Sequence, residues 1–227
     1  MSIVLENVSV DLAGRRVLAD VSATLGERRI GVIGANGSGK STLARLLNGL
    51  VLPSAGRVVV DGLDTRGDVK AVRRKVGFVF QNPDNQIVYP IVAEDVAFGL
   101  KRLGLSKAET AARVSGTLAR FGLSHLAQAS AHLLSGGEKQ LLALAGVLAG
   151  DPDILVLDEP TTLLDLRNTR RIAAILAGLP QRIVLVTHDL DLLASFDRVL
   201  VVDEGRLVAD GSPAEAIAAY RALVEGP

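Results

Sequence analysis

"GANGSGKST", residues 34–42, directly follows the apolar run "RRIGVI" and directly precedes "LARLLNGL", in which leucines recur at helical spacing. The nine residues fit the pattern G-x-x-x-x-G-K-[ST] of a phosphate-binding loop, which requires a strand before it and a helix after it. Glycines at three positions let the backbone curl so that successive N–H groups point toward phosphate oxygens. The stretch therefore predicts an α/β fold built around a loop that binds a nucleotide.

The residues of this loop have separate parts in nucleotide binding. Lys40 supplies a mobile cation for the β- and γ-phosphates, and the Ser41 hydroxyl can bind Mg²⁺. A glycine-rich turn with a surface lysine is the alternative, but it does not account for the flanking strand and helix. We assign nucleotide contacts to the whole stretch: Gly34, Ala35, Asn36, Gly37, Ser38, Gly39, Lys40, Ser41 and Thr42.

A second motif, "DILVLDEP" at residues 153–160, is an apolar run that ends in two carboxylates. A strand buried on both faces normally avoids charge, so Asp158 needs a partner, and Mg²⁺ is the natural one. Glu159, the next residue, can act as the general base that polarises an attacking water. A strand that merely ends in an acidic loop is the alternative, and the phosphate-binding loop upstream argues against it.

Two polar residues end further apolar runs, Gln81 after "KVGFVF" and His188 after "IVLVT". Ligands of open α/β folds bind at the carboxyl ends of the strands, so both residues have a setting in which they can act. We expect Gln81 to contact the metal and His188 to contact the γ-phosphate, although each alone would be an ordinary loop residue. His125 and His132 have no such setting, and we treat them as structural.

The composition narrows the function further. Lys plus Arg and Asp plus Glu both number 25 among the 227 residues, so the overall charge does not predict a nucleic-acid partner. The absence of cysteine excludes disulfides and thiolate metal sites. The first residues lack the layout of a signal peptide, and no apolar stretch reaches the roughly 18 residues of a membrane span, so we expect a cytoplasmic protein.

The order of predicted elements indicates one domain over residues 1–227. The first thirty residues read as edge strands with a turn at Ala13-Gly14, and residues from about 84 to 150 read mostly as helices. Strands and helices alternate again from residue 153, and "RVLVVDEGRLVADG" reads as a hairpin that turns at Glu204-Gly205. We therefore predict an α/β core with a helical subdomain, about 84–150, inserted in it.

The stretch "LSGGEKQ", residues 134–140, reads as the start of a helix. Ser135 and Glu138 have the spacing of a capping box, and we expect Leu141, Leu144, Ala145 and Leu148 to form the buried face behind it. Two glycines in a first turn weaken a helix by about 1 kcal/mol each, so an ordinary capped helix does not explain them. Gly136 and Gly137 leave backbone N–H groups open to an incoming phosphate.

These motifs, in this order along nearly the whole chain, resemble those of ATP-binding-cassette (ABC) ATPases. The resemblance implies a P-loop NTPase core with a mostly parallel sheet, an N-terminal antiparallel β subdomain and a helical insertion. It also implies that Ser135, Gly136, Gly137 and Glu138 are a signature motif that contacts ATP held by an opposite subunit. Two such chains, or this chain and a homologous ATPase, would then sandwich two ATP. Asp165, in the stretch "LLD" at 163–165 that resembles the family's D-loop, would lie at that junction or act as a helix N-cap.

The segment "FQNPDNQIVYPIVAEDVAFGLKRLGLS" resembles that of ATPases from energy-coupling-factor (ECF) importers of vitamins or metal ions. The stretch "ERRIGVIGANGSGKST", which leads into and includes the phosphate loop, is most similar to that of the biotin-type ATPase of this group. The resemblance implies a transmembrane coupling protein and a substrate-binding membrane protein as partners, and a peripheral position on the cytoplasmic face of the inner membrane. We expect residues 82–98 to line the docking site for a helix of the coupling protein, so that a charge at Tyr89 or Val92 would break that complex. Several of the apolar residues there should stay on the surface, whereas the alternative is that all of them pack into the core of the helical insertion: Ile87, Val88, Tyr89, Ile91, Val92 and Phe98. The alternative is a soluble ABC ATPase that acts on DNA or ribosomes, although such proteins usually carry a long coiled coil or two cassettes.

The chain departs from the family's pattern at three places. Leu12 stands where relatives place an aromatic residue that stacks on adenine, so the stack is in doubt. Leu141 stands where many relatives have arginine, so a charge contact between subunits is missing. "TTLLD", residues 161–165, replaces the commoner small-residue version of the D-loop.

Overall fold

The computed structural model describes residues 2–162 and 164–225. Five short 3₁₀ turns accompany the strands and helices. In chain order the elements are β1 (Ile3–Leu12), β2 (Arg15–Leu25), β3 (Arg29–Ile33), α1 (Lys40–Leu46), β4 (Ala55–Val60), β5 (Leu63–Asp64), α2 (Val69–Lys75), β6 (Val76–Val79), α3 (Val92–Leu100), α4 (Lys107–Arg120), α5 (Gly136–Ala149), β7 (Ile154–Asp158), α6 (Leu166–Ala177), β8 (Arg182–Val186), β9 (Arg198–Asp203), β10 (Arg206–Gly211) and α7 (Pro213–Glu225).

These elements form two compact units. The first comprises Met1–Phe78, Asp153–Glu159 and Pro180–Pro227, and the second comprises Val79–Pro152 and Pro160–Leu179. The predicted helical subdomain at about 84–150 falls within the second unit, and its role as an insertion stays a prediction. Within the part of the chain that the structure describes, no helix is long and apolar enough to span a bilayer.

The first unit contains a four-stranded sheet in the order β2-β1-β4-β5. β1 pairs antiparallel with β2 and with β4, and the predicted turn at Ala13-Gly14 joins β1 to β2 with both residues at positive φ. Alternate residues of β1 are buried at its start, with Ile3 and Leu5 facing the core and the residues between them partly exposed. This alternation is typical of an antiparallel sheet that packs on one face.

The same unit contains a six-stranded sheet in the order β10-β9-β3-β8-β7-β6. β3 pairs parallel with β8 and β9, and β7 pairs parallel with β8, whereas β9 and β10 form the predicted antiparallel hairpin. Val186 pairs with both Val32 and Asp158. The carboxyl ends of β3, β7 and β8 therefore lie side by side, where their following loops can build one site.

The second unit is mostly helical, with α3, α4 and α5 packed against one another. Gly99 of α3 and Gly146 of α5 allow the closest approach, because a Cβ at Gly99 would lie 2.5 Å from the Gly146 carbonyl oxygen. Leu118 and Phe121 fill the core near the end of α4. This packing holds the start of α5, which carries the predicted signature motif.

Candidate active site

The phosphate-binding loop lies between β3 and α1, as predicted. Gly34 has φ 149° and a Cβ there would overlap the carbonyl oxygen of Val202, while a Cβ at Gly39, with φ 107°, would lie 2.7 Å from Leu18 Cδ2. Gly37 has φ 79° but faces open space, so only its backbone conformation calls for glycine. The glycines of the motif are thus required for two reasons: they allow the positive φ angles of the loop, and at two of the three positions a side chain would clash with neighbouring atoms.

Lys40 is the first residue of α1, and its side chain is buried. Its Nζ donates hydrogen bonds to the carbonyl oxygens of Gly34, at 2.7 Å, and Ala35, at 2.8 Å. Burial lowers the pKa of Lys40, against the attraction of Glu159 and Asp158, which raises it. The ammonium group is thus held across the loop, where phosphate oxygens can replace the two carbonyls as its acceptors.

Asp158, at the end of β7, is 1% exposed. Its Oδ1 accepts a hydrogen bond from the Ser41 hydroxyl at 2.8 Å, and its Oδ2 lies 3.6 Å from the Arg45 guanidinium. Ser41 and Arg45 are one turn apart on α1, so one helix face holds both carboxylate oxygens. The sequence prediction missed Arg45, although its position four residues after Ser41 was a usable signal.

Glu159 follows β7 in a left-handed backbone conformation, with φ 52°. Its N–H donates to the Val186 carbonyl at 2.9 Å, and its buried Oε1 lies 2.8 Å from Nε2 of the half-exposed His188. The turn therefore brings a second carboxylate beside the first, and the loop after β8 brings the imidazole to it. The structure thus groups five of the predicted residues: Lys40, Ser41, Asp158, Glu159 and His188.

The chemistry of these groups fits a nucleoside triphosphate with a divalent cation. Ser38 Oγ is buried and has no hydrogen-bond partner among the described residues, and it lies in the loop that the motif assigns to phosphate. A hydroxyl and a carboxylate oxygen meet at Ser41 and Asp158, and Mg²⁺ prefers such oxygen ligands. A cleft of about 480 Å³ adjoins the loop and is lined by Arg15, Arg16, Val17, Ala35, Asn36, Gly37, Ser38, Asp203, Glu204 and Gly205.

The predicted signature motif starts α5 in the second unit. Ser135 Oγ accepts from the Glu138 N–H, while Glu138 Oε2 accepts from the Ser135 N–H at 2.8 Å and from its hydroxyl at 2.6 Å, so the capping box is present. These hydrogen bonds from Ser135 hold the pKa of the Glu138 carboxyl below its ordinary value. Gly136 is exposed with open space at its Cβ position, whereas Gly137 is buried and a Cβ there would lie 2.5 Å from the Asn168 side chain. The predicted buried face of α5 is buried throughout: Leu141, Leu144, Ala145 and Leu148.

Gln81 also lies in the second unit, where it is exposed. It lines a small cleft of about 140 Å³ together with Gly136, Lys139 and other residues of the motif region. Its contact with a metal ion stays a prediction. Asp165 is the N-cap of α6, because its Oδ1 accepts from the Asn168 N–H at 2.8 Å, while Leu163 of the predicted D-loop lies outside the described residues.

One expectation about a particular side chain is wrong. Val92, expected on the surface, is 0% exposed and belongs to the core of the second unit. The exposed apolar residues of the 82–98 segment are instead Val88, at 64%, and Phe98, at 44%. Leu141, which replaces an arginine of many relatives, is buried on α5, so this position serves packing here.

Known proteins support the same interpretation. Residues 18–162, more than half of the chain, match the ABC transporter family model. The chain is 56% identical to a biotin transport ATP-binding protein, BioM, of Rhizobium etli over 98% of this chain and 99% of that protein. It is 50% identical to an energy-coupling factor transporter ATP-binding protein, EcfA1, of Symbiobacterium thermophilum over 83% of this chain and 68% of that protein.

A solved structure agrees with the fold. CbiO1 of Clostridium perfringens, described as part of the ABC transporter complex CbiONQ, superposes with a TM-score of 0.83 at 34% identity, covering 98% of this chain and 92% of CbiO1. The predicted fold class, a P-loop NTPase core with a mostly parallel sheet, an N-terminal antiparallel sheet and helices, is thereby confirmed. The chain therefore belongs to the ABC transporter family, as an ATP-hydrolysing subunit that is similar to those of energy-coupling-factor transporters.

Proposed function

We propose that this chain hydrolyses ATP to power a membrane importer of the energy-coupling-factor type, with biotin as the favoured cargo. The observation that carries the catalytic part is the grouping of Lys40, Ser41, Asp158 and Glu159 at the carboxyl ends of parallel strands. The cargo rests on the likeness to the biotin-transport relative.

The residues of the site divide the reaction between them. The loop amides and Lys40 hold the β- and γ-phosphates, and Glu159 takes the proton from the water that attacks the γ-phosphorus. His188, 2.8 Å from Glu159, fixes the orientation of that carboxylate and contacts the γ-phosphate. Ser41, Asp158 and Gln81 would hold Mg²⁺, which supplies positive charge to the phosphate oxygens.

The site needs a second chain to be complete. One chain carries one phosphate-binding loop and one signature motif, so two cassettes meet head to tail and each motif covers the ATP of the other. Gly136 supports this role, because its exposed backbone leaves room for a phosphate at the start of α5. Ser135, Gly137 and Glu138 complete the motif, and Asp165 lies at the junction. The partner is a second copy or a homologous ATPase.

A docking surface on the second unit connects the ATPase to its membrane partners. Val88 and Phe98 are exposed, and the Tyr89 and Phe98 rings lie 5.3 Å apart with Lys101 Nζ about equally close to both rings. Buried Asp95 fixes this surface, since its Oδ1 accepts from the N–H groups of Val88 at 2.8 Å and Tyr89 at 3.0 Å. An apolar face of a helix from the transmembrane coupling protein fits such a surface. The chain is thus peripheral, on the cytoplasmic face of the inner membrane, beside the coupling protein and a substrate-binding membrane protein.

Copurification from solubilised membranes tests this proposal. Phe98→Asp should break the complex with the membrane partners and leave ATP binding by the isolated chain intact, because Phe98 is far in sequence from the phosphate-binding loop. Val208→Asp is the matched control, since Val208 is a similarly exposed apolar residue (46%) on β10 of the first unit. If the complex survives Phe98→Asp and Val88→Asp together, the docking surface lies elsewhere. If no membrane protein copurifies with the unmodified chain, the importer function is wrong.

A further inference from the structure

The cleft beside the phosphate-binding loop is lined by chemically different segments. The loop itself contributes Ala35–Ser38, and beside it lie residues 15–17 of β2 and residues 203–205 of the β9–β10 turn, where the Gly205 N–H donates to the Ser38 carbonyl at 2.9 Å. Its volume of about 480 Å³ lies within the usual range for small-molecule sites. The cleft is therefore large enough to take more of a nucleotide than its phosphates.

The charges of the lining decide which part of the nucleotide lies beside residues 15–17 and 203–205. Asp203 and Glu204 place two carboxylates there with the guanidinium groups of Arg15 and Arg16, so this part of the cleft has no net positive charge to hold a triphosphate. The uncharged base and sugar do not need such a charge. Since the triphosphate is held at Lys40 and the loop amides, the base extends toward Arg15, Arg16 and Val17.

Leu12 does not line the cleft. It is 43% exposed and is not among the lining residues. A base that lies in the cleft therefore has no contact with Leu12. The residues of the lining with a flat, extended side chain are the two arginines.

The two arginines differ in their freedom. The Arg16 guanidinium is engaged, because its Nε donates a hydrogen bond to the Asp11 carboxylate. Arg15 is exposed, and its side chain has no ion pair or hydrogen bond with any of the residues that the structure describes. A planar guanidinium stacks on aromatic faces, so Arg15 can lie flat on a purine without breaking an existing contact.

We propose that Arg15 holds the nucleotide base by stacking its guanidinium on the ring, in place of an aromatic side chain. This assignment rests on the proposed function, because the position of the phosphates at Lys40 fixes the direction of the nucleotide. Stacking on a ring face does not read the edge of the base. Arg15 thus contributes affinity for any purine nucleotide and little discrimination between them.

Binding of ATP and of inorganic tripolyphosphate, measured by calorimetry in the presence of Mg²⁺, separates stacking from charge. Arg15→Lys keeps the positive charge and removes the plane. We expect the dissociation constant of Arg15→Lys for ATP to rise roughly tenfold, which corresponds to the smaller measured free energies of base stacking. Its dissociation constant for tripolyphosphate should stay within about twofold. Arg74→Lys is the matched control, since Arg74 is an exposed arginine of α2 that does not line the cleft, and its affinity for both ligands should stay close to that of the unmodified chain.

Each outcome decides between named alternatives. Unchanged ATP affinity in Arg15→Lys and Arg15→Ala would show that Arg15 does not touch the base. Equal weakening of ATP and tripolyphosphate would show that Arg15 acts on the phosphates through its charge, and would also overturn the proposal. If the unmodified chain bound tripolyphosphate as tightly as ATP, the base would contribute no affinity, and stacking would be excluded as well. Failure of the unmodified chain to bind either ligand would instead contradict the proposed function.

Discussion

Replacing Glu159 with glutamine is the sharpest test of the proposed general base. Glu159 Oε1 lies 2.8 Å from Nε2 of His188, and an amide oxygen can accept the same hydrogen bond. The change therefore keeps the shape of the site and removes the group that takes the proton. A positioned general base contributes about 10²–10⁴-fold to a rate, and at about 1.36 kcal/mol per tenfold this is roughly 3–5 kcal/mol of barrier. We expect kcat to fall by at least about 10²-fold while ATP still binds.

The effect on stability should be small, because two electrostatic changes oppose each other. Glu159 attracts Lys40, and the substitution removes that attraction. It also removes repulsion between the neighbouring carboxylates of Glu159 and Asp158. A net change below about 1 kcal/mol corresponds to a shift in Tm of no more than about 2–4 °C for a chain of this size.

Steady-state phosphate release at saturating Mg-ATP measures the rate, and size-exclusion chromatography with ATP measures assembly. Because ATP stays bound without being hydrolysed, the variant should elute as a dimer. Glu6→Gln makes the same chemical change at an exposed position of β1 and should leave the rate unaltered. Near-normal hydrolysis by Glu159→Gln would refute the assignment and place the base elsewhere.

Three further predictions follow from the same site. Lys40→Ala should abolish turnover, since it removes the cation nearest the γ-phosphate; phosphate release measures this, circular dichroism should show an intact fold, and a normal rate would contradict the assignment. ATP and GTP should be hydrolysed with similar kcat/KM, because neither Leu12 nor a stacked Arg15 reads the edge of the base; competition assays measure the ratio, and a strong ATP preference would mean that another side chain reads the base edge. Gly136→Ala should raise Tm slightly, because alanine favours a helix over glycine by roughly 1 kcal/mol, whereas Gly137→Ala should lower Tm because its Cβ would displace the Asn168 side chain. Thermal melting of the two variants measures both shifts, and equal shifts would contradict the packing argument.

The phosphate-binding loop could be predicted from sequence because each of its requirements is local. The glycines, Lys40 and the flanking apolar runs are contiguous, and the strand–loop–helix context follows from their periodicity. The capping box at Ser135 and Glu138 was predictable for the same reason, since its partners are three residues apart. The sequence also pointed to Asp158 and Glu159, because charge at the end of an apolar strand is unusual.

What the sequence did not reveal depends on contacts between distant segments. Arg45 meets Asp158 only through the packing of α1 beside β7, and Gly137 is confined by Asn168 of another helix. Val92 was misjudged because an apolar residue in a segment rich in turns can be buried or exposed. The carboxylate of Asp95 binds the N–H groups of residues 88 and 89, and this leaves Val88 outside while Val92 is inside.

The start of α5 has a consequence for how a phosphate would be admitted there. A serine hydroxyl has one hydrogen, and that of Ser135 is already given to Glu138 Oε2 at 2.6 Å. Ser212 gives its hydrogen to Glu215 at the same distance, in a capping pair that is not part of the predicted signature motif. In the proposed dimer, a phosphate oxygen from the other cassette would first meet the lone pairs of the Ser135 hydroxyl oxygen and, beside them, the Glu138 carboxylate. Both groups would repel it. Only an acceptor able to compete with a carboxylate makes the hydroxyl rotate, and a multiply charged γ-phosphate is such an acceptor. In the proposed dimer Ser135 would thus set a threshold of acceptor strength, and closure of the two cassettes would depend on the charge of the group between them.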